Sequence, residues 1–183
     1  LLSKQDALEM FVQILEHPDQ IIVGANLPFD LLVVATELAA LGLDALPAIY
    51  AMLAESRAYD VQTSEALNAV AQGTLNMDPR TGGPLKNPET GKRGRYSLAT
   101  CVDLTLGRVD AKANDEWRLR YADLENIPID QWPQTARDYP VDDAKNTLEC
   151  ALAQTGHLPK TTPHHNWDDK GACKDCGITK LGV

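Results

Sequence analysis

The apolar positions of this chain switch between helical and strand spacing along its length. Leu8, Phe11, Val12 and Leu15 recur at helical intervals, so Ser3 to Glu16 is predicted as a helix that gathers them on one face. Ser3 or Asp6 stands where a cap is needed. His17-Pro18-Asp19 ends the helix, because the residue before a proline is driven out of the helical region. Gln20 to Ala25 carries Ile21-Ile22-Val23, a β-branched run that predicts a buried strand. Phe29 to Leu41 reads as a second, strongly apolar helix closed by Gly42, and Leu46 to Glu55 as a third. Asp60 opens a further helical pattern that runs to about Ala71.

Residues 73 to 95 break this periodicity. Asp78-Pro79, Gly82-Gly83-Pro84, Asn87-Pro88 and Gly91 make them a long turn-rich stretch, expected to be a functional or mobile loop, or a small hairpin. Ser97 to Leu106 then reads as a helix with Ser97 as its cap and Gly107 as its stop. Asp115 to Tyr121 reads as a short charged helix, and about Trp132 to Gln154 as the last long one. Pro140 falls inside that last segment and has no N–H to give. It kinks a helix that starts near Trp132 and is tolerated in one that starts near Asp138. The two cases put Tyr139 in different places relative to Asp143. After Gly156 the composition shifts to Pro, Thr, His, Trp and Cys, which divides the chain into a domain at 1–156 and a tail at 157–183.

A length of 183 residues suits one ordinary domain with a small appendage, and 44% apolar residues support a core. The formal net charge of −9 argues against a protein that coats nucleic acid by neutralising phosphates. It leaves room for an enzyme whose carboxylates are neutralised locally by bound divalent cations. The most basic stretch is the turn-rich loop, with Arg80, Lys86, Lys92, Arg93 and Arg95. It is either a solvated surface or a phosphate contact. Cys101 and Cys150 sit in apolar helical patterns and are expected to be packing residues, so this is not a secreted disulfide framework. Neither a signal peptide nor an apolar run long enough to cross a bilayer is visible, so the cytoplasm is the expected location. The chain opens on Leu1, inside a helical pattern, which predicts a fragment of a larger domain.

Two motifs carry candidate chemistry. Asn26-Leu27-Pro28-Phe29-Asp30 follows the predicted strand directly, and Tyr139-Pro140-Val141-Asp142-Asp143 lies in the last helix. An Asp at a strand-to-helix corner, with a Tyr four residues before a second Asp, suits a metal-dependent phosphodiesterase. Each motif alone has an ordinary explanation. An Asp in a first helical turn complements the dipole, and residues at i and i+4 simply share a face.

Together with Tyr96-Ser97-Leu98-Ala99 through Leu106-Gly107, then Lys112, Trp117-Arg118-Leu119-Arg120-Tyr121 and Trp132, these motifs resemble the DEDD 3′–5′ exonuclease superfamily. The similarity is to its Tyr-containing subgroup, as in family-A DNA polymerases and phage replication proteins, and covers about residues 1 to 155. It implies an α/β, ribonuclease-H-like exonuclease fold, a mixed sheet with helices on both sides. It implies Mg²⁺ or Mn²⁺ held by Asp30 and Asp143, with Tyr139 orienting the attacking water. Asn26 and Phe29 match positions that shape the pocket for the terminal nucleotide. Lys112, Arg118 and Arg120 are candidates for phosphate contact, or else solvated helix charges. Asp142 points about 100° away from Asp143 and is expected either at the surface or behind the metal ligands.

The implied activity is hydrolysis of DNA from a 3′ end, single-stranded or frayed, with a polymerase as a further partner. The family's opening Asp-x-Glu strand has no match here. The in-chain Asp123-Leu124-Glu125 lies late, in a charged context, and does not substitute for it. The resemblance therefore implies a domain lacking its N-terminal strands and two of its four carboxylates. The alternative is a catalytically inactive module that binds DNA or a polymerase.

In the tail, His164-His165 and Cys173-Lys174-Asp175-Cys176-Gly177 resemble half of a zinc ribbon or knuckle. Thiolates with imidazole suit tetrahedral Zn²⁺. Cys173, Cys176 and His165 are the first three candidate ligands, and His164 or His157 the fourth. A redox Cys-x-x-Cys or an unstructured tail are the other readings.

Overall fold

In the computed structural model of the chain, which describes residues 3–109, 117, 120–125 and 127–157, two short parallel strands divide the core. β1 (Ile22–Gly24) pairs with β2 (Ala58–Asp60) in the register Ile22↔Ala58, Val23↔Tyr59, Gly24↔Asp60. Parallel strands need a long crossover. Here it is made by α2 (Leu27–Ala40) and α3 (Leu46–Ala54). α1 (Lys4–Glu16) precedes β1, and α4 (Val61–Ala71) leaves β2 without a gap. α5 (Leu98–Cys101) runs into one π-helical turn, Val102–Leu106, and α6 (Gln134–Gln154) closes the described chain.

Strand alternation sends neighbouring residues to opposite faces of this small sheet. Ile22 and Ala58 pack on a cluster built from α1, α2 and α3: Leu15, Leu27, Leu31, Leu38, Ala45, Ile49 and Met52. Val23 and Tyr59 pack on a second cluster from α4, α5, the π turn and α6: Val61, Leu98, Cys101, Val102, Cys150 and Ala151. Helices therefore cover both faces, and the architecture is α/β and mostly helical. Cys101 and Cys150 are fully buried, as their patterns predicted, and burial pushes both thiols up, Cys150 to about 12.

The first helix is held at both ends. Ser3 and Asp6 form a capping box, Asp6 N–H donating to Ser3 Oγ at 3.1 Å and Ser3 N–H to Asp6 Oδ2 at 3.2 Å. At the far end Arg57, only 7% exposed, reaches back from the residue before β2. Its guanidinium donates to the carbonyls of Leu15 (2.8 Å), His17 (2.9 Å) and Gln20 (3.2 Å), and to Glu55 Oε2 (2.7 Å). Of these, the Leu15 carbonyl belongs to the last turn of α1, which a helix end leaves without a partner, and the other two tie down the turn that follows.

Several expectations are corrected. β2 had no sequence signal, because three residues are too few to show alternation. α2 begins at Leu27 rather than Phe29, since Pro28 is well accommodated in a first turn. The helix expected over 97–106 changes to π geometry after Cys101. The sheet is not mixed among the described residues: its two strands are parallel. The turn-rich loop folds as a small double hairpin, two successive turns each closed by a single antiparallel bridge, Met77↔Pro84 and Lys86↔Arg93. Arg80 is committed to it, bonded twice to Asp78 and twice to Asp103 at 2.8–3.0 Å, so it is a tie within the fold. Tyr121 opens a 3₁₀ turn, Tyr121–Leu124, and α6 starts at Gln134, which leaves Pro140 in its interior. Lys112, Arg118 and residues 158–183, with His164, His165, Cys173 and Cys176, lie outside the described residues. Among the described residues no helix is long and apolar enough to cross a membrane.

Replacing Arg57 by Ala removes the donors to the Leu15 carbonyl at the end of α1 and to the His17 and Gln20 carbonyls of the following turn. The expected loss is about 1–3 kcal/mol of stability, on the scale of a buried acceptor left unpaired. Urea unfolding should show it as a lower midpoint with an unchanged slope.

Candidate active site

The chain turns sharply at the end of β1. A Cβ on Gly24 would lie 2.8 Å from Leu27 Cβ, so only glycine lets α2 start this close to the strand. Asn26 makes the turn with φ at +66°, a left-handed conformation that Asn tolerates better than most residues. In that conformation its side chain makes no capping bond to α2. Asp60, paired with Gly24 across the strand ends, supplies the cap instead. Its Oδ2 accepts from Leu27 N–H at 2.5 Å, and its Oδ1 accepts from Thr63 N–H at 2.8 Å. One carboxylate thus closes the N-termini of α2 and α4. The sequence placed Asp60 at the opening of the α4 pattern but gave no sign of its bond to α2.

Asp30 lies in the first turn of α2 and faces a cleft of about 760 Å³. Val23, Gly24, Ala25 and Asn26 form one wall, at the end of the strand. Tyr139, Asp143, Ala144 and Thr147 of α6 form the opposite one, because positions four apart share a helix face. Asn26, Asp30, Tyr139 and Asp143 are therefore brought to one cleft. Phe29 is not. It is 60% exposed on α2 and absent from the cleft lining, since consecutive helical residues point about 100° apart and Asp30 takes the inward direction. Asp142 is exposed, 3.6 Å from Lys145 Nζ, on the solvent side, the first of its two expected placements.

Among the other lining residues, Gln62 and Glu89 carried no signal in the sequence, whereas Arg95 stood in the basic stretch and Asn87 in a predicted turn. Gln62 comes from α4, and Asn87, Glu89 and Arg95 come from the hairpin loop. Asn87 Oδ1 accepts from Glu89 N–H (2.8 Å) and Thr90 N–H (2.9 Å), an Asx turn at Asn87-Pro88. That dipeptide marked a turn in the sequence. The direction in which the turn points is a matter of tertiary packing. Arg95 is exposed, and among the described residues its guanidinium makes no hydrogen bond or ion pair.

The cleft is acidic. Asp30, Asp143 and Glu89 line it, and Asp60 stands behind Asp30. The Asp30 carboxyl is held above its ordinary 3.8, first by partial desolvation and then by the Asp60 charge. A phosphodiester entering here meets repulsion unless a cation accompanies it. Among the described residues no group of three or more His, Cys, Asp or Glu side chains is spaced to hold a metal ion. Asp30 and Asp143 are two carboxylates on the lining of one cleft. They do not amount to the four-carboxylate set of a two-ion site.

Asp60→Asn keeps a capping side chain and removes the like charge. It should lower the Asp30 pKa towards 3.8, read by carboxyl ¹³C titration. The sign for stability follows from the raised value. Asp30's contribution is fully present below its unfolded pKa and is lost as pH rises through the raised folded one. The variant should therefore weaken that loss.

No family model matches the chain, and neither a curated protein nor a solved structure matches it.

Proposed function

We propose that the chain is a metal-dependent 3′–5′ exonuclease of the Tyr-containing DEDD, ribonuclease-H-like type, acting on the 3′ end of DNA. The observation that carries this reading is the convergence of Asn26, Asp30, Tyr139 and Asp143 on one cleft, from opposite ends of the sequence. Helices on both faces of a parallel strand pair are compatible with the fold it requires.

In this reading Asp30 and Asp143 hold a Mg²⁺ or Mn²⁺ ion between β1 and α6. When bound, the ion offsets the phosphodiester charge and makes its water more acidic. Tyr139 hydrogen-bonds the attacking water from the α6 wall. Arg95 contacts a backbone phosphate from the loop. Asn26, fixed by its left-handed backbone, borders the terminal nucleotide. Cys173, Cys176, His165 and His164 remain the proposed Zn²⁺ ligands of the tail.

A second reading has its own observation. An apolar groove of about 580 Å³ lies between α2, α3 and α4, beside exposed Leu32 (65%), Tyr50 (66%) and Leu67 (63%). Apolar exposure of this kind marks interaction sites. It favours a non-catalytic module that binds a partner such as a polymerase.

The deciding measurement is degradation of 5′-labelled single-stranded DNA with Mg²⁺ or Mn²⁺. Stepwise shortening from the 3′ end is expected, and Asp143→Asn should lower it at least about 10²-fold, the scale of losing one electrostatic stabiliser. Absence of cleavage by folded protein under both metals would favour the binding module. Arg95→Ala should raise KM for DNA with little change in kcat. It should also reduce the salt slope of DNA binding by about one, as loss of one phosphate contact does.

A further inference from the structure

Pro140 removes a backbone hydrogen bond from the middle of the candidate site. α6 runs from Gln134 to Gln154, so the missing amide hydrogen of residue 140 would have bonded to the carbonyl four residues earlier, that of Ala136. Ala136 is fully buried, and a buried carbonyl without a donor is costly. The donor it receives comes from outside the helix: Tyr121 O–H lies 2.8 Å from the Ala136 carbonyl oxygen.

The same side chain touches Tyr139. The Tyr121 and Tyr139 ring centroids are 6.2 Å apart at 54°, an ordinary tilted aromatic contact. On its other side Tyr121 meets Trp132, at 5.8 Å and 47°. Tyr121 is thus wedged between the entrance of α6 and the residue that faces the cleft. Burial, followed by the charge of Asp143, raises its pKa, so the hydroxyl stays protonated and able to donate.

We propose that Tyr121 is a positioning residue for Tyr139: its hydroxyl takes the place of the amide hydrogen that Pro140 lacks, and its ring braces Tyr139 against the cleft. The bend that a proline imposes on a helix depends on what fills the vacated bond. Tyr121 fills it with a fixed donor, so one side chain sets both the path of α6 at Pro140 and the direction of Tyr139 towards Asp143. The catalytic consequence rests on the exonuclease reading, whereas the structural device does not.

The test is a double-mutant cycle of Tyr121→Phe and Pro140→Ala in the full chain. Tyr121→Phe keeps the ring and removes the donor, and Pro140→Ala returns the amide hydrogen. Tyr121→Phe alone should shift the Tyr139 ring-proton resonances. It should also lower kcat about tenfold with KM for single-stranded DNA unchanged, the size expected for one misplaced hydrogen-bonding group. In the Pro140→Ala background both effects should largely disappear, a coupling that independent sites do not show. Losses of equal size in the two backgrounds, or unmoved Tyr139 resonances, would overturn the proposal. Coupled resonance shifts in a protein that degrades no DNA would support the Tyr121 device and count only against the nuclease reading.

Discussion

The structure turns on the carboxylate of Asp60. It sits at the end of β2, level with Gly24 at the end of β1, and accepts from the first amides of α2 and α4 together. A helix cap contributes about 1 kcal/mol, so two caps on one side chain matter beside a net stability of about 5–15 kcal/mol. The position matters more than the sum. By fixing where α2 starts, Asp60 fixes where Asp30 points, and its own charge then raises the Asp30 pKa. The same group that orders the corner makes the corner attractive to a cation.

Around that corner the fold is assembled by alternation in strands of only three residues each. Ile22 and Ala58 face one helical layer, and Val23 and Tyr59 the other. So small a sheet has little stability of its own. Its order depends on the two apolar clusters and on ties that cross between elements. Arg57 closes the end of α1 from the edge of β2. Tyr59 and Gln154 join β2 to the last turn of α6 through a 3.2 Å bond. Arg80 pins the hairpin to the π turn through Asp103. The cleft is lined by β1 and the start of α2, by α6, and by the hairpin loop, elements that these ties hold from outside it.

The second wall depends on a compensated defect. Pro140 interrupts the hydrogen-bond ladder of α6 between Tyr139 and Asp143, and Tyr121 occupies the vacancy. Tyr121 was visible in the sequence as the end of a charged segment that shares in the family resemblance, with no sign of this role. Its role depends on a contact with a carbonyl fifteen residues away, which no local pattern encodes.

What the sequence determined was local. The apolar periodicity of α1 and α3, the Ser3 and Ser97 caps, the glycine stops at Gly42 and Gly107, and the burial of Cys101 and Cys150 follow from spacing and backbone preference, which act within a few residues. The candidate carboxylates and Tyr139 could also be picked out, because a strand-to-helix corner and an i, i+4 pair are local patterns. Tertiary structure decided the rest. It placed Asp30 towards the cleft and Phe29 away from it, and gave Asp60 its second helix. It turned Arg80 inwards to Asp103, left Arg95 facing the cleft, and seated Tyr121 under Pro140. Each of these is a choice of partner between segments distant in the chain, and such choices are made by packing and by the cost of leaving buried polar groups unpaired.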